Sequence, residues 1–227
     1  MIEIVKAVCT LLAIFALAAP GFAETTIEAS SSSNWTGNYA PCNNHAELLG
    51  AGPLNIGVRF SSHNADLTHE FQNALDFWSS VLDLEWHSVD SEDCAMQLLD
   101  GTPQLFNWCA CTSARSQLPD KADFEGWVAF NPRLKLSKQE MFLDSVHEIG
   151  HLLGLAHNSS ETSIMFFFGL DKLEWLEPSD LSALSARHSL RPGFVRDHGF
   201  SKLPVVVPTR TSHNRLNSAA AFLEVTH

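Results

Sequence analysis

Between residues 147 and 157 the chain reads His147-Glu148-Ile149-Gly150-His151-Leu152-Leu153-Gly154-Leu155-Ala156-His157, a spacing compatible with few local structures. Residues four apart stack on one face of a helix, so a helix through this stretch aims the imidazoles of His147 and His151 at a common point. His157 cannot join them from the next turn, because a third ligand to a roughly tetrahedral ion must approach from another direction. The helix must therefore end between His151 and His157, and Gly154 is the residue that tolerates the bend. Ser137 followed three residues later by Glu140 forms a capping-box start. The spacing thus predicts a helix from Ser137 to about Leu153.

These residue types in this order point to zinc chemistry. Three neutral imidazoles leave Zn²⁺ its double charge and one position open to water, whose pKa falls to about 7. Glu148, beside His147, is placed to take a proton and return it to a leaving amine without ligating the ion. The bare pattern H-E-x-x-H arises by chance, but here every fixed position of H-E-x-x-H-x-x-G-x-x-H is filled. A zinc-containing binding protein without turnover is the competing class, yet a structural zinc is more often closed by a fourth protein ligand.

The rest of the chain is read around that helix. Residues 1–23 have the form of a secretory signal, with Lys6, an apolar run from Ala7 to Ala19, and Gly21-Phe22-Ala23 as a cleavage site. A membrane anchor would need about 20 apolar residues, more than this run supplies. Residues 24–51 read as a loose leader or short pro-segment, 52–190 as the folded domain, and 191–227 as an extension holding Pro192, Pro204 and Pro208.

Strand patterns are expected at Leu54–Phe60, around Leu84 and Trp86, at Cys94–Leu99 and at Phe124–Phe130, with mostly loop between Gly101 and Asp123. Leu67, Phe71, Leu75, Trp78 and Leu82 recur at helical spacing, and a last helix is expected from Pro178-Ser179-Asp180, carrying Leu181, Leu184 and His188. The formal charge of −12, with 26 acidic against 14 basic residues, offers no footprint for phosphate or anionic lipid. Nucleic acid and membrane are not expected partners, and a monomer acting on proteins or peptides is.

The extended motif, followed by Ser163-Ile164-Met165 as a methionine turn, resembles the metzincins and within them the matrixins, the catalytic domains of matrix-metalloproteinase type. The resemblance implies a secreted zinc endopeptidase with an α+β, zincin-like fold. That fold is a mixed twisted sheet with an antiparallel edge strand, an active-site helix with two further helices, and a small C-terminal subdomain. It implies His147, His151 and His157 as ligands of one catalytic Zn²⁺, Glu148 as catalytic base, and Gly154 and Met165 as structural residues of the site. It further implies that substrate pairs with an edge strand upstream of the zinc helix, assigned to Phe124–Phe130 with Trp127 and Val128 as contacts. Phe167 and Phe168 are candidates for the pocket beside the zinc, together with Phe166, Leu170 and Trp175, and a large apolar residue is expected just after the scissile bond. Phe167 stands where related metzincins place a ligating tyrosine, and phenylalanine cannot ligate. Asn158 replaces the family's usual Ser or Thr, and no histidine between Gly101 and Trp127 supports a second, structural zinc. Structural Ca²⁺ has no support in the residues.

Of five cysteines, Cys9 lies in the signal, leaving Cys42, Cys94, Cys109 and Cys111. A zinc ribbon would need a C-x2-C pair that is missing. Two disulfides are expected in an oxidising compartment. Cys109 and Cys111 are separated by one residue, a spacing that strains a direct bond. Each is therefore expected to pair with Cys42 or Cys94, the connectivity left open, and a Cys42 thiolate held by zinc is the alternative. Asn34 and Asn158 sit in glycosylation acceptor patterns.

Overall fold

The computed structural model describes residues 42–107, 112–119, 124–167 and 174–208. The signal stretch, Asn34, Cys109, Cys111, Phe168, Leu170 and the tail beyond 208 lie outside the described residues.

Five strands form one sheet: β1 (Leu54–Phe60), β2 (Leu84–Ser88), β3 (Met96–Asp100), β4 (Ala114–Ser116) and β5 (Trp127–Phe130), in the order β2-β1-β3-β5-β4. The first four in that order are parallel, and β4 joins β5 antiparallel, with Ser116 opposite Val128. A parallel sheet needs crossover helices on its faces. Helix α1 (Ala65–Val81) supplies the one between β1 and β2, and buries Leu67, Phe71, Leu75 and Trp78 as their spacing predicts. Helix α2 (Lys138–Leu152), which carries His147 and His151, packs against α1, and the fully buried Trp78 donates from Nε1 to Val146 O at 3.1 Å. One core runs from β1 and β3 through both helices to Leu181 and Leu184 of α3 (Pro178–Ser185). The fold class is as expected. No helix among the described residues is long and apolar enough to cross a membrane.

Four expectations need correction. The edge of the sheet is β4, inside the stretch read as loop, and β5 is interior, hydrogen-bonded to β3 on one side and β4 on the other. Trp127 and Val128 are accordingly buried, and no edge is available there for a peptide.

Cys42 bonds to Cys94, with Cα atoms 4.8 Å apart, and not to Cys109 or Cys111. Backbone bonds from Asn43 N to Glu92 O and from Asn44 N to Cys94 O lay the leader alongside the segment that leads into β3 and bring the two thiols together. The leader is thus fastened to the sheet and not to the 101–123 loop, and a disulfide-bonded Cys42 has no thiolate to offer a metal.

The end of the leader is also not loose. His45–Leu49 forms a 3₁₀ turn that buries Leu48 completely.

Finally, residues after Arg191 add α4 (Pro192–His198), with Phe194 buried, and β7 (Leu203–Pro204), which pairs with β6 (Trp175–Leu176). A further helix beyond the two expected besides α2 is therefore present. His188 lies past the end of α3, its ring 2.8 Å from Leu153 O and 3.1 Å from Gly50 O, joining the end of α2 to the leader.

Candidate metal centre and active site

Helix α2 starts where the capping box predicts. Ser137 Oγ accepts from Glu140 N, and Glu140 Oε2 accepts from Ser137 N at 2.6 Å. It ends at Gly154, whose φ of +90° lies in the left-handed region that glycine alone enters without strain. A Cβ there would lie 2.7 Å from Arg187 Nη1. The turn carries His157 back, so that one ligand atom from each of His147, His151 and His157 lies within 4.8 Å of the others.

The donor chemistry of this cluster tests its fit to a cation. His147 Nδ1 is 2.6 Å from Ile164 O and His151 Nδ1 is 2.8 Å from Leu155 O. A carbonyl oxygen only accepts, so both Nδ1 atoms carry the proton and both Nε2 atoms present lone pairs. Those two Nε2 atoms face each other at 3.0 Å, and His157 Nε2 is 3.2 Å from that of His151. Two facing lone pairs repel unless a cation lies between them. Nitrogens bound tetrahedrally to zinc at about 2.0–2.1 Å are separated by roughly 3.3 Å, close to the spacings found. Burial depresses the ring pKa of His147 and of His151 to about 4 and lowers that of His157. Each shift favours the neutral ring, the form a metal requires.

Met165 packs against α2 at Gly150, the residue before His151. A Cβ on Gly150 would come within 2.7 Å of its Sδ, so the glycine is what lets the methionine reach the helix. The turn is anchored by Asp180 at the start of α3. Its Oδ2 accepts from Ser163 Oγ at 2.8 Å and from Glu177 N at 3.0 Å, and Asn158 Nδ2 donates to its Oδ1 at 2.7 Å. Ser163 Oγ in turn accepts from Met165 N. The Asn158 amide is therefore committed to the fold and does not stand free for a glycan.

Glu148 is buried, and desolvation raises its pKa against the lowering influence of His151, Ser116 and Arg115. Ser116 Oγ donates to Glu148 Oε2 at 2.6 Å. Sequence reasoning missed Ser116, because a serine in a three-residue strand carries no pattern of its own. Phe167 is exposed, with its ring 6.1 Å from that of His157 and 4.9 Å from that of Phe166.

With this geometry in place, comparison with known proteins is decisive. The family model described as Matrixin matches residues 57–185, more than half of the 227-residue chain. The chain belongs to the matrixins. Among relatives, Metalloendoproteinase 1-MMP of Arabidopsis thaliana is 31% identical over 116 residues, covering 44% of this chain and 31% of that protein. Macrophage metalloelastase of Rattus norvegicus is 29% identical over 111 residues, 45% of this chain and 24% of that protein. The chain thus aligns with about a third or less of the length of these matrixin relatives. The matched region ends before α4 and β7.

Proposed function

We propose that this matrixin is a secreted zinc endopeptidase in which His147, His151 and His157 hold one ion and Glu148 is the general base. The observation that carries the reading is the pair of Nε2 lone pairs on His147 and His151, aimed at each other across 3.0 Å with both Nδ1 protons held elsewhere. When bound, zinc supplies Lewis-acid polarisation of the scissile carbonyl and acidifies the attacking water.

The chain's own residues do the rest. Ala114–Ser116 offers an edge along which an extended polypeptide can pair antiparallel. Backbone pairing tolerates many sequences, and the exposed Phe167 beside His157 suits a large apolar side chain just after the scissile bond. The Glu148 carboxylate takes the proton from the attacking water and delivers it to the leaving amine nitrogen. Its burial, which raises its proton affinity, suits both halves of that transfer. Support for secretion comes from the signal pattern in 1–23 and from the Cys42–Cys94 bond, which persists in oxidising compartments.

Purified protein should contain one zinc and cleave casein or gelatin, and chelation should abolish cleavage. Glu148→Ala should eliminate proteolysis with zinc retained, whereas His157→Ala should lower zinc affinity by orders of magnitude. Loss of zinc in Glu148→Ala, or full turnover after chelation, would overturn the assignment.

A further inference from the structure

We propose that Ser116 is the positioning residue for the general base: its hydroxyl fixes the Glu148 carboxylate while its own backbone receives the substrate, so one residue sets both peptide register and base orientation. The inference rests on Glu148 being the base.

The ladder between β4 and β5 shows which way each residue of the edge faces. Asn131 N donates to Ser113 O, and Gln117 N donates to Trp127 O. Hydrogen-bonded pairs alternate along an antiparallel ladder, so Ser113, Arg115 and Gln117 turn their backbone groups toward β5. Ala114 and Ser116 turn theirs to the open edge. Side chains alternate with the same period but toward the faces of the sheet. Ser116 directs its hydroxyl toward α2, where Oγ meets Glu148 Oε2 at 2.6 Å, and Ala114 is buried on that side. Arg115 points to the opposite face, where its Nη1 donates to Leu105 O at 2.7 Å.

A carboxylate on a two-carbon stem can turn its oxygens about the terminal bond, whose torsion is broad. A hydroxyl donor on one oxygen removes that freedom. Among the described residues Ser116 is the hydrogen-bonding partner of Glu148, so Oε2 is occupied and Oε1 is the oxygen left for the reacting proton. A peptide pairing with the Ser116 backbone places its scissile bond at a fixed offset from this residue. The carboxylate that must reach the bond is held from the same Cα. Docking and proton transfer are thus registered against each other through one hydrogen bond that ties the edge strand to α2.

The test compares Ser116→Ala and Ser116→Thr with the parent enzyme on one peptide substrate, recording kcat, KM, zinc content and thermal midpoint, with Glu148→Gln in parallel. Removing one charge-assisted hydrogen bond should lower kcat of Ser116→Ala about tenfold. KM, zinc content and midpoint should stay unchanged. Ser116→Thr keeps the hydroxyl on a residue strands accept, and should recover kcat to within about twofold. A parental kcat in Ser116→Ala overturns the inference, as does a raised KM at unchanged kcat, which would make the hydroxyl a substrate contact. Equal impairment of both variants also overturns it, by assigning the effect to side-chain volume. A fully active Glu148→Gln would instead remove the general-base reading itself, and this inference with it.

Discussion

At the residue scale, the histidine cluster is built by local interactions. Helical periodicity aligns His147 with His151, a capping box starts the helix, and a left-handed glycine at φ +90° ends it. Two residues of the same neighbourhood depend on tertiary contacts instead. Ser116 becomes relevant only through a tertiary contact. Asp144, one turn before Glu148 on α2, gives no warning in sequence that it is buried with Oδ2 lacking a hydrogen-bond partner. Burial pushes its pKa from 3.8 to about 7, opposed by a hydrogen bond from Ser113 and reinforced by the charges of Glu148 and Glu140. A carboxyl whose folded pKa is raised costs nothing below the unfolded value. Its penalty grows as pH rises from about 4 to about 7 and is constant beyond. Asp144→Asn should therefore match the parent in stability near pH 4 and exceed it by about 1–3 kcal/mol at pH 8. The depressed histidines act in the opposite sense, losing stability as pH falls below their unfolded value, but they are common to both proteins and cancel in the difference. Urea titrations of the two metal-free proteins across that range give the answer, and a difference that does not vary with pH would refute it.

At the scale of elements, the long strands and both large helices follow from periodicity, since α1 buries Leu67, Phe71, Leu75 and Trp78 and β1 buries Leu54, Ile56 and Val58, with Phe60 packed half-buried at its end. The short elements do not. β4 spans three residues, β6 and β7 two each, and each exists because a neighbour supplies hydrogen bonds. The proline-bearing tail read as an extension because its burial rests on isolated anchors, Phe194 and Val205, without a period. Yet it reaches the site through a continuous ladder. Val205 N donates to Glu174 O, β7 pairs with β6, Ile164 N donates to Trp175 O at 2.7 Å, and Ile164 O accepts from His147 Nδ1. Lys202 adds an ion pair to Glu177 at 2.8 Å, worth little by itself at the surface. Groups that orient a ligating histidine typically change metal affinity by about 10–100-fold when lost. Val205→Asp, which buries a charge under this ladder, should weaken zinc binding by about tenfold in a chelator competition. The same substitution at the exposed Val206 should leave it unchanged, and equal affinities for the two variants would show that the tail does not support the site.

At the scale of the whole molecule, the disulfide expectation failed for a reason that concerns what sequence can specify. Elimination among Cys42, Cys94, Cys109 and Cys111 assumed that an awkward direct bond between the two near neighbours forces both to seek distant partners. Pairing is decided instead by which backbones the fold lays side by side, and here the leader runs along the segment that leads into β3. The Cys42–Cys94 bond spans 52 residues of sequence containing β1, α1 and β2. It therefore restrains the part of the domain that carries none of the candidate catalytic residues, which belong to α2, the turn after it and β4. Closing a loop of that length removes chain entropy from the unfolded state worth about 4 kcal/mol in the loop-closure picture. The paired Cys42→Ser and Cys94→Ser variant should thus unfold at lower urea, losing about 2–4 kcal/mol, while its kcat and zinc content at 25 °C stay within about twofold of the parent. Unchanged urea resistance would mean that the leader is held by Leu48 and its backbone bonds alone. A collapse of kcat in the still-folded variant would mean that the leader also shapes the active site.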